Sequence, residues 1–220
     1  MPSRTSVTRP TRWAGVPADE RAASRRTLLL DAAFELLGTE GWSGTTVRAV
    51  CAAANLNPRY FYESFDDLDA LVVAVYDRLV DELRAAIAEA AAAAGSDPRS
   101  LVRATVETTT RFVDEDRRRA RILYVEALGN EALNRRRLET GFAIAGYVQD
   151  EAAARHGPPP HGEQIGAVAA AVLVGGFSEL LVAWLDGRIA VSREQLVDDA
   201  TELFVGLGDT AARIAASRRR

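Results

Sequence analysis

Within residues 45–65, TTVRAVCAAANLNPRYFYESF, two guanidinium groups and two phenols stand among small apolar residues. Arg48 and Arg59 each carry a planar fork of N–H donors, which fits the O6 and N7 acceptors of guanine bidentately or grips a phosphate. Tyr62 offers a hydroxyl donor at fixed reach. Tyr60 can meet a thymine methyl or the nucleic-acid backbone. Thr46, Asn57 and Ser64 add short polar groups of the kind that contact phosphate oxygens. Thr46, Arg48, Asn57, Arg59, Tyr60, Tyr62 and Ser64 therefore form a candidate set for reading a duplex. Acid–base chemistry is poorly provided for, with two His and one Cys in 220 residues. No phosphate-binding loop, dinucleotide fingerprint, nucleophile elbow or metal-ligand spacing occurs. A catalytic site, a cofactor and a metal are accordingly not expected, and a helical enzyme is the weakest reading of the chain.

The elements around these residues must present them outward. Val47, Val50, Cys51 and Ala54 share the inner face of one short helix, capped by Thr45 or Thr46. Ala54-Asn55-Leu56 is a turn whose middle residue needs a positive φ, which Asn tolerates better than most residues with a side chain. Asn57 then serves as N-cap and Pro58 as first residue of a second short helix, about 58–64, where proline's missing N–H costs nothing. Leu56, Phe61 and Phe65 point inward, leaving Arg59, Tyr60, Tyr62 and Glu63 on or near the outside; for Tyr60 a place in the core is the alternative. Two short helices joined by a three-residue turn make a helix-turn-helix, whose second helix is shaped to enter a major groove. Cys51, small and inward, is expected to be a packed thiol. A preceding helix, about 22–39, carries the stripe Leu30, Ala33, Phe34 and Leu37. Gly41 stops it, and Trp42 folds back over it.

Charge supports this placement. The whole chain is at −4, with no Lys and all 27 basic residues Arg. Residues 1–65 hold eight Arg and six acids, a net of +2, so the remainder carries −6. Phosphate neutralisation favours the basic end. Exclusive use of Arg together with much Ala fits a high-GC bacterial genome, and a lone Cys fits a reducing cytosol. A cytoplasmic location is expected, with no secretory leader and no membrane partner, because the apolar run Ile165–Phe177 is too short to cross a bilayer.

The fold class expected is all-α, divided into a flexible basic arm (1–20), a three-helix DNA-binding domain containing the helix-turn-helix (21–66), and a helical ligand-binding and dimerisation domain (67–220). A long helix begins at Asp66-Asp67 and runs to about 94. Further helices fit about 98–114, 117–128, 131–156, 162–186 and 193–216, with a break at Gly157–Gly162 that holds three prolines and His161. The last two helices have wide apolar faces, and Val172, Leu173, Gly176, Leu180, Leu203 and Phe204 are candidates for a homodimer interface built from four helices. Phe112, Tyr124, Phe142, Tyr147, Phe177 and Trp184, with Glu126 as a polar contact, are candidates for an effector pocket. Arg117–Arg119 and Arg135–Arg137 read as solvated helix faces.

The stretch LLLDAAFELLGTEGWSGTTVRAVCAAANLNPRYFYESFDDLDALVVAVYDRL resembles the N-terminal domain of the tetracycline-repressor (TetR) family. The shared pattern is an apolar helix ending at Gly41-Trp42, then Thr-Thr-Val and Arg48, Ala-Asn-Leu where Ala-Gly-Val is usual, and Tyr-x-x-Phe ending at Phe65. It covers roughly residues 22–80; the rest matches in length and helicity. The resemblance implies a bacterial transcriptional regulator, a repressor that binds a pseudo-palindromic double-stranded DNA operator as a homodimer and is released by a small-molecule effector. It assigns Tyr62 a phosphate contact. Two departures stand out: Leu68 occupies a position where the family often has a phosphate-touching Lys, and Arg59 one where Gly is common. The alternative in the same chemical class is an architectural protein that binds DNA without sequence preference.

Overall fold

The computed structural model describes residues 17–156 and 163–218, with side chains described for 17, 19–146 and 164–218. Most of the arm, the Tyr147 side chain and the 157–162 break lie outside the described residues. Among those described there are ten α-helices and no strand: α1 (Ala18–Thr39), α2 (Gly41–Gly44), α3 (Val47–Ala53), α4 (Pro58–Tyr62), α5 (Leu68–Ala94), α6 (Pro98–Glu115), α7 (Arg117–Ala120), α8 (Glu131–His156), α9 (Glu163–Leu185) and α10 (Arg193–Ser217). Between α7 and α8 the chain winds through a π-helical turn, Arg121–Val125, and a 3-10 turn, Glu126–Leu128.

Side-chain caps set most helix starts. Thr46 accepts the Ala49 N–H at 3.1 Å and Asn57 accepts that of Arg59 at 2.9 Å. Asp67, Asp97 and Ser192 do the same for Ala70, Ser100 and Gln195. Such a cap stabilises its helix by about 1 kcal/mol, because it satisfies an N–H that has no partner inside the helix. Of the two candidate threonines Thr46 is the cap; the Thr45 hydroxyl is buried and donates to the Gly41 carbonyl. Asn55 has φ 52° and Gly41 φ 76°, as their places in the turn and the helix stop require.

The core falls into two buried clusters. Leu29, Ala33 and Leu37 of α1, Val50 and Cys51 of α3, Phe61, Phe65, and Leu71, Val72, Val75 and Leu79 of α5 belong to one buried cluster with Ile122, Leu123, Leu133, Leu181 and Leu196. A smaller cluster, Val106, Val197 and Ala200, joins α6 to α10 and is flanked by Phe177, Leu180 and Phe204. The ion pairs Arg99–Glu202 and Arg103–Asp198 cross the same seam.

Several expectations are corrected. α1 begins at Ala18, so residues 18–20 are helix rather than arm. Its most buried edge is Leu29, Ala32, Ala33 and Leu37, with Leu30 and Phe34 only partly covered, because α1 must serve α5 as well as α3. α4 stops at Tyr62, and residues 41–44 form an extra helical turn. Segment 117–128 is not a uniform helix. The Arg117–Arg119 run is only partly a solvated face: Arg117 is exposed and donates to the Leu185 carbonyl, while the half-buried Arg118 pairs with Glu35 and Asp116 and the half-buried Arg119 donates to the Phe112 carbonyl and lies over its ring. Arg136 likewise donates to Asp77. The apolar run of α9 is longer than a count of unbroken residues suggests. The 22 residues Gln164–Leu185, in which Glu179 is the one charged group, are long and apolar enough to cross a membrane. Their inner side instead packs Phe177, Leu180, Leu181 and Trp184 against the core.

Candidate nucleic-acid interface

α3 and α4 meet through the 54–56 turn with Val50, Cys51, Ala54 and Phe61 beneath them. The remaining positions are forced outward. Arg48 is exposed and makes no ion pair or hydrogen bond among the described residues. Tyr62 stands 63 % exposed, its ring set edge-on to Phe61 with centroids 5.2 Å apart. The Arg59 side chain is 82 % exposed and its Nε donates to Glu63 at 3.0 Å. Arg48, Arg59 and Tyr62 are thus each exposed to solvent on the two helices.

The other four residues serve the scaffold as well. Thr46 and Asn57 are exposed but their side-chain oxygens hold N-caps, which leaves the Thr46 hydroxyl proton and the Asn57 amide as donors. Tyr60 is half-buried beneath α1, where the Arg25 guanidinium lies 4.5 Å from its ring centroid. That takes the ring face out of play. The Ser64 hydroxyl donates to the Tyr60 carbonyl at 3.0 Å, so it is turned back on the end of α4. Sequence reasoning missed Arg25 and Arg26, counted there only as charge. Arg25 pairs with Glu63 at 3.5 Å; Arg26 lies 4.1 Å from the Phe65 ring centroid and donates to the Ser64 carbonyl at 2.9 Å. Nothing in their spacing reveals this, because both contacts span more than thirty residues.

Burial pushes the Cys51 thiol up, consistent with a packed side chain and not a reactive thiolate. Residues 29–75, which contain all three of these exposed side chains, match the family profile described as bacterial regulatory proteins, tetR family. Over these residues the chain is similar to the tetR family. Among similar proteins is the HTH-type transcriptional regulator BetI of Burkholderia thailandensis, 37 % identical over 82 residues, covering 37 % of this chain and 42 % of the relative. BetI of Stenotrophomonas maltophilia is 34 % identical over 83 residues, again with 42 % of its length covered. The chain therefore matches less than half the length of these relatives. Both relatives are HTH-type transcriptional regulators. Fold similarity extends much further. A transcriptional regulator from Pseudomonas aeruginosa PAO1 superposes with TM-score 0.69 at 21 % identity, covering 94 % of this chain and 99 % of that one. The fatty acid degradation regulator FadR of Bacillus halodurans gives 0.66 at 17 % identity, with coverages of 83 % and 95 %.

Outside residues 29–75 the candidate pocket residues divide. Tyr124, Phe177 and Trp184 converge on the core from the π-helical turn and α9, with the Trp184 indole N–H donating to the Val191 carbonyl. Burial raises the Tyr124 phenol far above its usual range. Phe112 is buried under Arg119. Two expectations fail. Phe142 projects from α8 at 71 % exposure, outside the core. Glu126 does not face a pocket: its carboxylate accepts the Trp42 N–H and the Arg121 Nε, both at 2.7 Å, and is only 12 % exposed. Arg121 in turn donates to the Thr39 carbonyl at 2.7 Å. A cleft of about 270 Å³ lies elsewhere, lined by Asp31, Phe34, Arg78, Leu79, Glu82, Asp116 and Arg119.

The candidate interface residues divide as well. Val172, at 57 %, and Leu203, at 68 %, stand open, and Gly176 lies on the same exposed edge of α9. Leu173 is partly covered. Leu180 and Phe204 turn inward: both flank the α6–α10 cluster, and Phe204 meets Phe177 edge-on at 5.3 Å.

Proposed function

We propose that this protein is a ligand-responsive transcriptional regulator, a repressor that binds a pseudo-palindromic operator as a homodimer and lets go when a small molecule occupies its helical body. The observation that carries the reading is the exposure of Arg48, Arg59 and Tyr62 on a capped helix-turn-helix. One such head reads few base pairs, so affinity and specificity call for two, spaced about one helical turn apart, on the order of 34–36 Å. The division into arm, reading head to residue 66 and effector body is part of the same proposal, as is a bacterial cytoplasmic location.

A second copy has an open face available to it. Ala167, Val168, Ala171, Val172, Gly175 and Gly176 recur at three- and four-residue spacing on the exposed side of α9, and Leu203 and Gly206 continue it on α10. Small side chains let two helices approach closely, and an apolar stripe of this length is otherwise left in water. The effector contacts we favour are Tyr124, Phe177 and Trp184. An effector shifts the equilibrium only by its difference in affinity between the DNA-competent and released forms.

The test is binding to a duplex selected by the protein from a random library, followed by fluorescence anisotropy across salt concentrations. Arg48→Ala and Tyr62→Phe are expected to weaken binding to the selected duplex with thermal stability unchanged. A selected duplex bound no better than random sequence would replace this reading with an architectural one. Binding indifferent to both substitutions would remove the surface from the argument.

A further inference from the structure

Glu63 uses both carboxylate oxygens on guanidinium groups, and the two are not alike. Oε1 accepts Nε of Arg59 at 3.0 Å, on the exposed face of the reading helix. Oε2 faces Nη2 of Arg25 at 3.5 Å, and Arg25 is itself held over the Tyr60 ring, its side chain only 16 % exposed. A chain of contacts therefore runs from α1 to the tip of α4. Its anchored end is largely covered and its far end is in solvent.

The atom used on Arg59 decides what remains free. Arg59 is held through Nε, and its two terminal nitrogens make no bond among the described residues. Those terminal N–H groups are the pair that spans O6 and N7 of guanine in an end-on bidentate contact. A free arginine side chain loses about 2 kcal/mol of rotamer entropy when it is fixed, and a guanidinium already oriented has less to lose on binding. A carboxylate beside DNA is otherwise unfavourable, since it repels phosphate. Placed behind the guanidinium, it biases Arg59 toward a base edge and against a second phosphate contact.

Resting on the DNA-binding reading above, we propose that Glu63 is a positioning residue for sequence recognition: with Arg25 as its anchor, it aims Arg59 at a guanine edge in each half-site. Glu63 does not touch the base itself.

The experiment compares wild type, Glu63→Gln, Arg59→Ala, the double variant, and Asp66→Asn as a control that removes a neighbouring exposed acid without touching Arg59. Each is assayed against the duplex selected by the wild-type protein and against a random-sequence duplex of equal length, and each variant selects its own preferred sequence. Glu63→Gln is expected to lower the ratio of selected to random affinity about fivefold per half-site, the scale of one exposed ion pair. It is also expected to relax the preference for guanine at one position in its own selection. In the Arg59→Ala background Glu63→Gln should leave the ratio unchanged, while Asp66→Asn should move both affinities together. The inference is overturned if Glu63→Gln keeps the guanine preference, if its effect persists without Arg59, or if Asp66→Asn lowers the ratio as much. If wild type enriches no sequence at all, the DNA-binding reading falls and takes this one with it. If wild type enriches a palindrome that Glu63→Gln retains, only this inference falls.

Discussion

Gly41 offers the sharpest test of how the reading head is fastened to the rest of the chain. Its φ of 76° lies in the left-handed region, where an L side chain costs about 1–2 kcal/mol. A Cβ there would stand 2.7 Å from Nη2 of Arg121 and 2.8 and 2.9 Å from the two carboxylate oxygens of Glu126. Those separations are too short for any carbon, so the Arg121–Glu126 pair must give way. The carboxylate then surrenders the Trp42 N–H, a charge-assisted bond at 2.7 Å in a part-buried setting. Losing such a bond costs about 1–2 kcal/mol once the partial exposure of Arg121 is allowed for. Gly41→Ala is therefore expected to destabilise by roughly 2–4 kcal/mol, a fall in Tm on the order of 10 °C for a chain of this length. The assay is thermal and urea unfolding followed by far-ultraviolet circular dichroism at fixed protein concentration. Glu126→Ala removes the group that the new methyl would strike. In that background Gly41→Ala should cost only its backbone strain, about 1–2 kcal/mol. Costs that add to within about 0.5 kcal/mol would refute the reasoning, because they would mean that the methyl and the carboxylate never compete.

Two further outcomes follow from the same description. Burial raises the Cys51 thiol and the Tyr76 and Tyr124 phenols. The unfolded chain then ionises first, so their contribution to stability is complete below the ordinary thiol pKa of about 8.5 and is lost as pH rises past it toward the phenol range near 10. The urea midpoint should fall across that window, and a flat or rising midpoint would contradict the burial. Val172→Asp and Leu203→Asp, on the open face of α9 and α10, should halve the mass found by sedimentation equilibrium; a wild-type monomer, or wild type that floats with lipid vesicles, would assign that face to something other than a second copy.

Much of the head could be read from residue types because its constraints are local. Asn55 at a positive φ, Asn57 capping Arg59, Pro58 in the first turn and Asp67 capping α5 each involve groups a few residues apart. The outward placement of Arg48, Arg59 and Tyr62 follows from the inward placement of Val50, Cys51 and Phe61. What could not be read depends on distant partners. The apolar spacing of 117–128 suits an α-helix and a π-helical turn equally well. The choice is settled where Arg121 and Glu126 engage the end of α1 and the start of α2, more than eighty residues away. Phe142 has the composition of a pocket residue, but among the described residues no neighbouring element covers its ring, which stands 71 % exposed. Tyr60 is drawn under Arg25 by an α1 contact that no local pattern announces.

The buried cluster shared by α1, α4 and α5 has a practical consequence for engineering. Leu71, Val72, Val75 and Leu79 of α5 lie in the same cluster as Leu29, Leu37 and Phe61, so a fragment cut after residue 66 would leave the underside of the head without its floor. Chimeric regulators that borrow this head should carry α5 through Ala94 and bring a matching surface for Glu35 and Trp42, or the graft will fail at the seam before its specificity can be measured.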